Sequence, residues 1–152
     1  IDGKIPKVPV KLSATFDTKK KKWCTAKVRV LPAHDIKDAQ PLLKKLKTDI
    51  AVLDKAYDAN KLHIFCSEQN IEAHIPISNY GKSRHQRWTA RRKAVLHFRK
   101  STYNRRVLIE SGFSSIKRKF GDSVSSKQVK TVRADLYGRL LAHNLFGCFK
   151  EI

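Results

Sequence analysis

Methionine and acidic residues are the types that this sequence most clearly lacks. None of the 152 residues is methionine, and only 13 are Asp or Glu, against 33 Lys and Arg, which gives a net charge of +20. A chain without methionine that begins at Ile1, within a polar stretch, is expected to be a piece of a longer protein. The strong positive charge predicts a polyanionic partner, most commonly nucleic acid, with a membrane surface as the weaker alternative.

Cysteines and long apolar runs are also scarce. Cys24, Cys66 and Cys148 are widely spaced and form no C-x-x-C pair, which indicates neither a disulfide framework nor a zinc site and predicts reduced, buried thiols. No stretch approaches the roughly 18 apolar residues of a membrane span, and no basic-then-apolar leader is present. We therefore expect a cytoplasmic protein that does not act in a membrane.

The remaining patterns predict one α/β domain with its own core. Residues 10–16 and 23–31 alternate apolar and polar side chains, which predicts a β-hairpin. Residues 49–53 are short and apolar, which predicts a strand buried on both faces. Helices are predicted from residue 36, capped by Asp35, and over 58–69, capped by Asp58, with a last short strand over 71–77.

A basic and aromatic segment follows. Residues 78–100 contain eight Lys and Arg with Tyr80, Trp88 and Phe98 between them. Cations interleaved with rings suit a surface that binds phosphates and stacks on bases, although a merely solvated loop would have a similar composition. The candidate DNA contacts here are Lys82, Arg84, Arg87, Trp88, Arg91, Arg92 and Lys93.

Two helices are predicted to complete the chain, over 102–120 and over 127–146, with Gly121 ending the first. The first would present Tyr103, Arg106, Glu110 and Lys117 on one face. No acidic residue lies between Glu72 and Glu110, an interval with ten Lys and Arg. Such surroundings favour an ionised carboxylate that suits a divalent metal ion. The alternative is a solvated face with an ordinary ion pair between Arg106 and Glu110.

Asp54 is the second candidate ligand, because it follows the predicted strand over 49–53. Functional groups of α/β sheets gather beyond the carboxyl ends of strands. Carboxylates that meet there from separate elements can hold a pair of divalent ions for in-line attack on a phosphodiester. Taken alone, Asp54 would be read as a turn or helix-capping residue.

Two motifs in this chain resemble those of one family, the DDE transposases of prokaryotic insertion sequences. The spacing of Tyr103, Arg106, Glu110 and Lys117 matches the family's Tyr-x2-Arg-x3-Glu-x6-Lys signature, and DKAYD at residues 54–58 resembles its D-K-G-Y-D segment, with Ala56 in place of a frequent glycine. PAHDIKDAQPLL at 32–43 resembles the stretch before that segment, and LAHNLF at 141–146 resembles the end of the catalytic domain. The likeness covers nearly the whole chain.

The resemblance implies a ribonuclease H-like mixed sheet with flanking helices, in a single catalytic domain over residues 1–152 with a basic insertion at 78–101 and C-terminal helices over 102–147. It implies that Asp54 and Glu110 are catalytic metal ligands, in a site for two Mg²⁺ or Mn²⁺ ions in the intact enzyme. Tyr103, Arg106 and Lys117 would contact DNA phosphates near the cut. A homodimer on DNA, near the nucleoid of a prokaryotic cytoplasm, is also implied.

The first acid of the family's set has no clear counterpart here. Asp2 lies in a loop-like Asp-Gly, and Asp17 ends the predicted hairpin strand. We expect the first strand and its Asp to lie upstream of Ile1, with Asp2 as the second choice, and such a chain would lack one metal ligand and part of its sheet. Two other functions remain open: a catalytically inactive DNA-binding remnant of a transposase, and a basic RNA-binding protein, which would leave the spaced acids unexplained.

Overall fold

Strands precede most of the helices in the computed structural model, which describes residues 10–30, 34, 36–77, 90–125 and 128–148. The strands are β1 (Lys11–Asp17), β2 (Lys22–Arg29), β3 (Ile50–Val52) and β4 (Glu72–His74). The helices are α1 (Ile36–Leu43), α2 (Asn60–Glu68), α3 (Ala90–His97), α4 (Lys100–Tyr103), α5 (Val107–Phe120) and α6 (Val129–Cys148). Single 3-10 turns occupy Lys55–Tyr57 and Asn104–Arg106. The predicted order strand, strand, helix, strand, helix, strand is confirmed as far as β4. Helix α3 lies in the basic segment, where the sequence pattern predicts no helix, and Asp35, the expected cap of α1, lies outside the described residues.

The predicted hairpin is present as the antiparallel pair β1 and β2, with a bulge between Thr15 and Phe16. The carboxylate of Asp17 accepts hydrogen bonds from the backbone N–H groups of Lys19 and Lys20, which stabilises the tight turn. Because side chains alternate along a strand, the hairpin has two distinct faces. One face packs on α5 and α6, and the other lies against α1.

The short strands β3 and β4 pair in parallel, with Val52 opposite His74. The expectation that residues 49–53 are buried on both faces is wrong for Ile50, which is 48% exposed. Within the described residues the strands form two separate two-stranded sheets, so the single mixed sheet that the resemblance implies is not seen there. Helix α1 contacts the hairpin and also contributes to the core of the parallel sheet, whereas α5 and α6 pack on the hairpin.

Two hydrophobic cores result from this division. The first joins α1, α2, β3 and β4 through residues that include Leu43, Leu62, Phe65 and Ile75. The second joins the hairpin to α5 and α6 around Trp23, Ile116 and Leu140. Helix α5 approaches the hairpin closely because Gly112 has no side chain: a Cβ atom there would lie 3.0 Å from Cζ2 of Trp23.

The helix predicted over 102–120 differs in detail from the observed segment. The backbone tightens into the 3-10 turn at Asn104–Arg106 before α5 begins, and Gly121 ends α5 with a φ of 81° as predicted. The expected burial is confirmed for Cys66, where it raises the pKa of the thiol to about 11, and is wrong for Cys24, which is exposed. The Cys148 side chain lies outside the described part of the structure. Among the described helices, none has the length and apolar character needed to cross a lipid bilayer.

Candidate active site

Asp54 lies just beyond β3, where the chain leaves the parallel sheet. The backbone N–H of Leu53 donates to the carbonyl oxygen of His74 at 3.2 Å, which extends the pairing with β4 up to the residue before Asp54. The Asp54 carboxylate then accepts a hydrogen bond from the backbone N–H of Lys55 at 2.7 Å and caps the first 3-10 turn. The capping role expected of an ordinary aspartate is therefore present, but it occupies only one carboxylate oxygen.

Glu110 lies in the first turn of α5, one helical turn after Arg106. One terminal nitrogen of the Arg106 guanidinium is 2.6 Å from a carboxylate oxygen of Glu110, and the other is 3.5 Å from Oδ2 of Asp54. The ordinary i, i+4 ion pair is thus observed, and the same guanidinium also binds Asp54. The two acids, 56 positions apart in the sequence, lie on the two sides of a single cation.

The donor set fits a hard divalent cation. Both carboxylates are half exposed, at 52% for Asp54 and 53% for Glu110, and so retain oxygen atoms accessible to an ion. Mg²⁺ is usually held by one or two carboxylates together with water. However, no group of three or more His, Cys, Asp or Glu side chains within the described ranges could hold a metal ion. The Asp17 carboxylate accepts hydrogen bonds from the backbone of its own turn, and Asp2 lies outside the described residues.

The other two members of the spaced signature, Tyr103 and Lys117, differ from Arg106 and Glu110 in their surroundings. The ring of Tyr103 is half-buried and packs on Phe98 at a centroid distance of 5.5 Å. Lys117 is exposed on α5, two turns beyond Glu110 or about 10 Å along the axis. Arg106 and Glu110 are therefore in direct contact with each other, whereas Lys117 lies further along the same helix.

Arg91 has a partner that the sequence pattern did not reveal. Its guanidinium donates two hydrogen bonds to the Asp58 carboxylate, at 2.9 and 2.5 Å, while Nε2 of the buried His63 lies 3.1 Å from the same carboxylate. Asp58 therefore does not cap α2 as predicted: Ala59 occupies the cap position, without a side-chain hydrogen bond. The carboxylate instead joins α2 to α3, which ties Arg91 to the fold.

The other basic candidates divide into two groups. Arg92 and Lys93 are exposed on α3. Lys82, Arg84, Arg87 and Trp88 lie outside the described residues, so their contact with DNA remains a prediction. Further exposed cations of the described chain lie in the last turns of α5, at Lys117, Arg118 and Lys119.

His74 is a buried residue near the site that sequence reasoning missed. Its Nδ1 accepts a hydrogen bond from the backbone N–H of Arg99 at 3.1 Å. Nε2 lies 3.1 Å from Oε1 of Glu72 without the alignment of a hydrogen bond. Burial lowers the pKa of His74, and Glu72 opposes that effect only in part. No motif marks His74 in the sequence; its position on a strand that pairs with the one before Asp54 is the only signal.

Comparison with known protein families identifies a match over most of the chain. The model of a family described as "Transposase DDE domain" matches residues 6–145. No curated protein and no solved structure matches the chain.

Proposed function

The chain belongs to the family of transposases with a DDE domain, and from this premise we propose that it cuts and rejoins DNA at the ends of a prokaryotic insertion sequence. Transposases act on DNA, and those with a DDE domain generally use divalent metal ions. The main structural support for this proposal is that Arg106 binds the carboxylates of both Asp54 and Glu110. A positively charged chain suits the DNA substrate.

In the proposed mechanism, Asp54 and Glu110 are catalytic residues that hold Mg²⁺ or Mn²⁺. A pair of such ions would polarise the phosphodiester and activate the attacking water or hydroxyl group. The Asp54 carboxylate is held by the backbone N–H of Lys55, and the Arg106 guanidinium holds it near the Glu110 carboxylate, so the two acids already lie close together before DNA binds. Tyr103, Arg106 and Lys117 would contact phosphates beside the cut, and the basic residues 82–93 would extend that contact along the duplex.

We further propose that the complete fold is ribonuclease H-like, with residues 78–101 as an insertion and 102–147 as C-terminal helices. The third acid of the family's set would come from a strand ahead of Ile1, or from Asp2. Such a strand would also give the described sheets a partner that they lack among themselves. A homodimer on DNA, in a prokaryotic cytoplasm at the nucleoid, completes the proposal.

The direct test is cleavage of DNA by the full-length product of the gene. With Mg²⁺ and a duplex carrying the terminal inverted repeats of the element that encodes it, we expect nicks at the element ends that EDTA suppresses. A matched duplex with scrambled ends serves as the control. Absence of nicking at any Mg²⁺ or Mn²⁺ concentration would contradict the enzymatic proposal.

A second candidate function is a catalytically inactive DNA-binding remnant. It is favoured by the absence of a three-ligand acidic cluster within the described ranges. A remnant would bind DNA with a steep salt dependence, because Lys and Arg release counterions from phosphates, and Asp54→Ala would leave that binding intact. Nicking by the full-length product would exclude this alternative.

Arg106 is expected to compete with metal ions for the two acids. Each of its ion pairs is exposed, and two such pairs contribute about 1 kcal/mol together. Arg106→Gln should therefore raise the affinity for Mn²⁺ about fivefold. Electron paramagnetic resonance of the free hexaaqua ion measures this affinity without relying on activity.

The matched control is Arg105→Gln, which removes the same charge from the same 3-10 turn. Arg105 makes no ion pair with Asp54 or Glu110, all three being described residues. Arg106→Lys keeps the charge but loses the planar fork that can bind two carboxylates at once, so its affinity should lie between those of wild type and Arg106→Gln. An equal rise for Arg105→Gln and Arg106→Gln would mean that only overall charge matters.

A further inference from the structure

His74 is hydrogen-bonded to the two segments that lead into the proposed site, one at Leu53 and one at Arg99. Its backbone carbonyl accepts from the N–H of Leu53 at 3.2 Å, which holds the chain immediately before Asp54. His74 is also the last residue of β4, opposite Val52 in β3. The main chain of this one residue therefore fixes the point where Asp54 leaves the sheet.

The imidazole of His74 binds the segment that leads to Arg106 and Glu110. Its Nδ1 accepts from the backbone N–H of Arg99, the residue at the N-cap of α4, where no side chain of the helix itself supplies a cap. The first N–H groups of a helix have no partner within the helix, so an external acceptor stabilises its start. From Arg99 the chain runs through α4 and the 3-10 turn directly to Arg106 and Glu110.

Ring contacts reinforce the same connection. The centroid of the His74 ring lies 6.1 Å from that of Phe98, and Phe98 lies 5.5 Å from Tyr103. His74 is only 1% exposed, so the imidazole is held between β4 and the segment that begins α4. A ring that only fills space in the core would not need its acceptor atom, Nδ1, to bind the N–H group at the start of a helix.

We propose that His74 is a positioning residue, which sets Asp54 and the helical segment of Tyr103, Arg106 and Glu110 in their mutual geometry. The importance of that geometry for DNA cleavage rests on the proposed function, but the contact itself does not. Aromatic residues that fill the same volume cannot replace His74, because they lack the acceptor. Asn can, because its Oδ1 lies near the place of Nδ1.

The bond from Arg99 requires an imidazole without a proton on Nδ1. Burial lowers the pKa of His74, and the charged groups that face it are Glu72 on its own strand, Arg99 at the start of α4 and His97 at the end of α3. A His with a lowered pKa stabilises the fold fully above its ordinary value of about 6.5 and less as pH falls below it. Acid should therefore release the start of α4.

Hydrogen–deuterium exchange of the peptide covering residues 98–106 tests the proposal, with the hairpin β1 and β2 as internal reference. After correction for intrinsic rates, wild type should exchange slowly at pH 7.5 and about five- to tenfold faster near pH 5. His74→Phe should show the fast rate at both pH values, while its hairpin remains protected. His74→Asn should restore the slow rate at both, without the pH response.

Two results would overturn the proposal. One is wild-type protection of residues 98–106 in folded His74→Phe, and the other is an unprotected segment in His74→Asn, which decides the question if His74→Phe does not fold. His97→Asn is the control for a nearby titrating group and should behave as wild type. Because the measured quantity is exchange and not cleavage, an error in the proposed function would leave this test unaffected.

Discussion

Glu110→Gln is expected to lower the rate of Mg²⁺-dependent DNA nicking on the order of 10³-fold. The amide keeps the size of the side chain but loses the charge that a divalent ion requires. Since half of the Glu110 side chain is exposed, the substitution should leave the free energy of unfolding nearly unchanged. Single-turnover nicking of a terminal-repeat duplex by the full-length product measures the effect.

The matched control is Glu68→Gln, an exposed glutamate at the end of α2. It removes the same charge away from the site and should retain wild-type nicking. Binding of DNA by Glu110→Gln should persist, because the change removes a negative charge beside the phosphates. Undiminished nicking by Glu110→Gln would remove Glu110 from the active site without contradicting the chain's place in the transposase family.

The elements nearest the site could largely be predicted, because local patterns encode them. Alternation predicted the hairpin, and the spacing of Arg106 and Glu110 predicted their shared face. The proximity of Glu110 to Asp54 is encoded in no local pattern, because it depends on how two cores pack. Only the resemblance and the strand-end position of Asp54 predict it. No periodicity in a single chain reports which distant acid a given arginine will also reach.

The buried polar contacts could not be predicted for a related reason. The sequence marks His74 and Asp38 in no way and marks Asp58 only as a helix cap, yet each side chain is buried with a partner far along the chain. No sequence pattern singles out Asp38 within the helix that begins at residue 36. Its burial depends on cations of the hairpin that arrive from another element.

Asp38→Ala is expected to be the most destabilising substitution of an acidic residue in the described chain. The carboxylate is fully buried and accepts hydrogen bonds from Ser13 at 3.1 Å and from Nε of Arg29 at 2.7 Å, with Nζ of Lys27 at 3.2 Å. Removing one partner of a buried charge cluster costs about 3–5 kcal/mol. Arg29 and Lys27 are about one-third exposed and can return to water, so we expect a loss of about 3 kcal/mol in the free energy of unfolding.

Urea denaturation at pH 7 measures this loss, which corresponds to a fall of about 6–12 °C in the melting temperature. Asp122→Ala, at an exposed position after α5, is the control and should change the free energy by less than about 0.5 kcal/mol. A double-mutant cycle with Arg29→Ala should return a coupling energy of about 1–3 kcal/mol. Equal effects of Asp38→Ala and Asp122→Ala would mean that the buried cluster does not stabilise the fold.

The pH dependence of this effect has a definite sign. Burial would raise the pKa of Asp38, but the hydrogen bonds from Arg29, Lys27 and Ser13 outweigh it and hold the pKa below its usual range. A lowered carboxyl pKa stabilises the fold fully above the unfolded value of about 3.9 and loses that effect as pH falls further. The gap in stability between wild type and Asp38→Asn should therefore be constant from pH 7 to about pH 5 and narrow below about pH 3.9.

Asp38 should also affect the site without touching it. Helix α1 contributes Leu43 to the core beside Asp54, and its Asp38 binds the hairpin, whose other face packs on α5, the helix that carries Glu110. The Asp38 carboxylate is thus one of the contacts that connect the core beside Asp54 to the core that includes α5. Asp38→Asn, which keeps the shape and part of the hydrogen bonding, should therefore weaken Mn²⁺ binding while most of the protein is still folded, because a looser joint lets Asp54 and Glu110 separate. Mn²⁺ affinity equal to that of wild type in folded Asp38→Asn would show that the Arg106 contact alone keeps the two acids together.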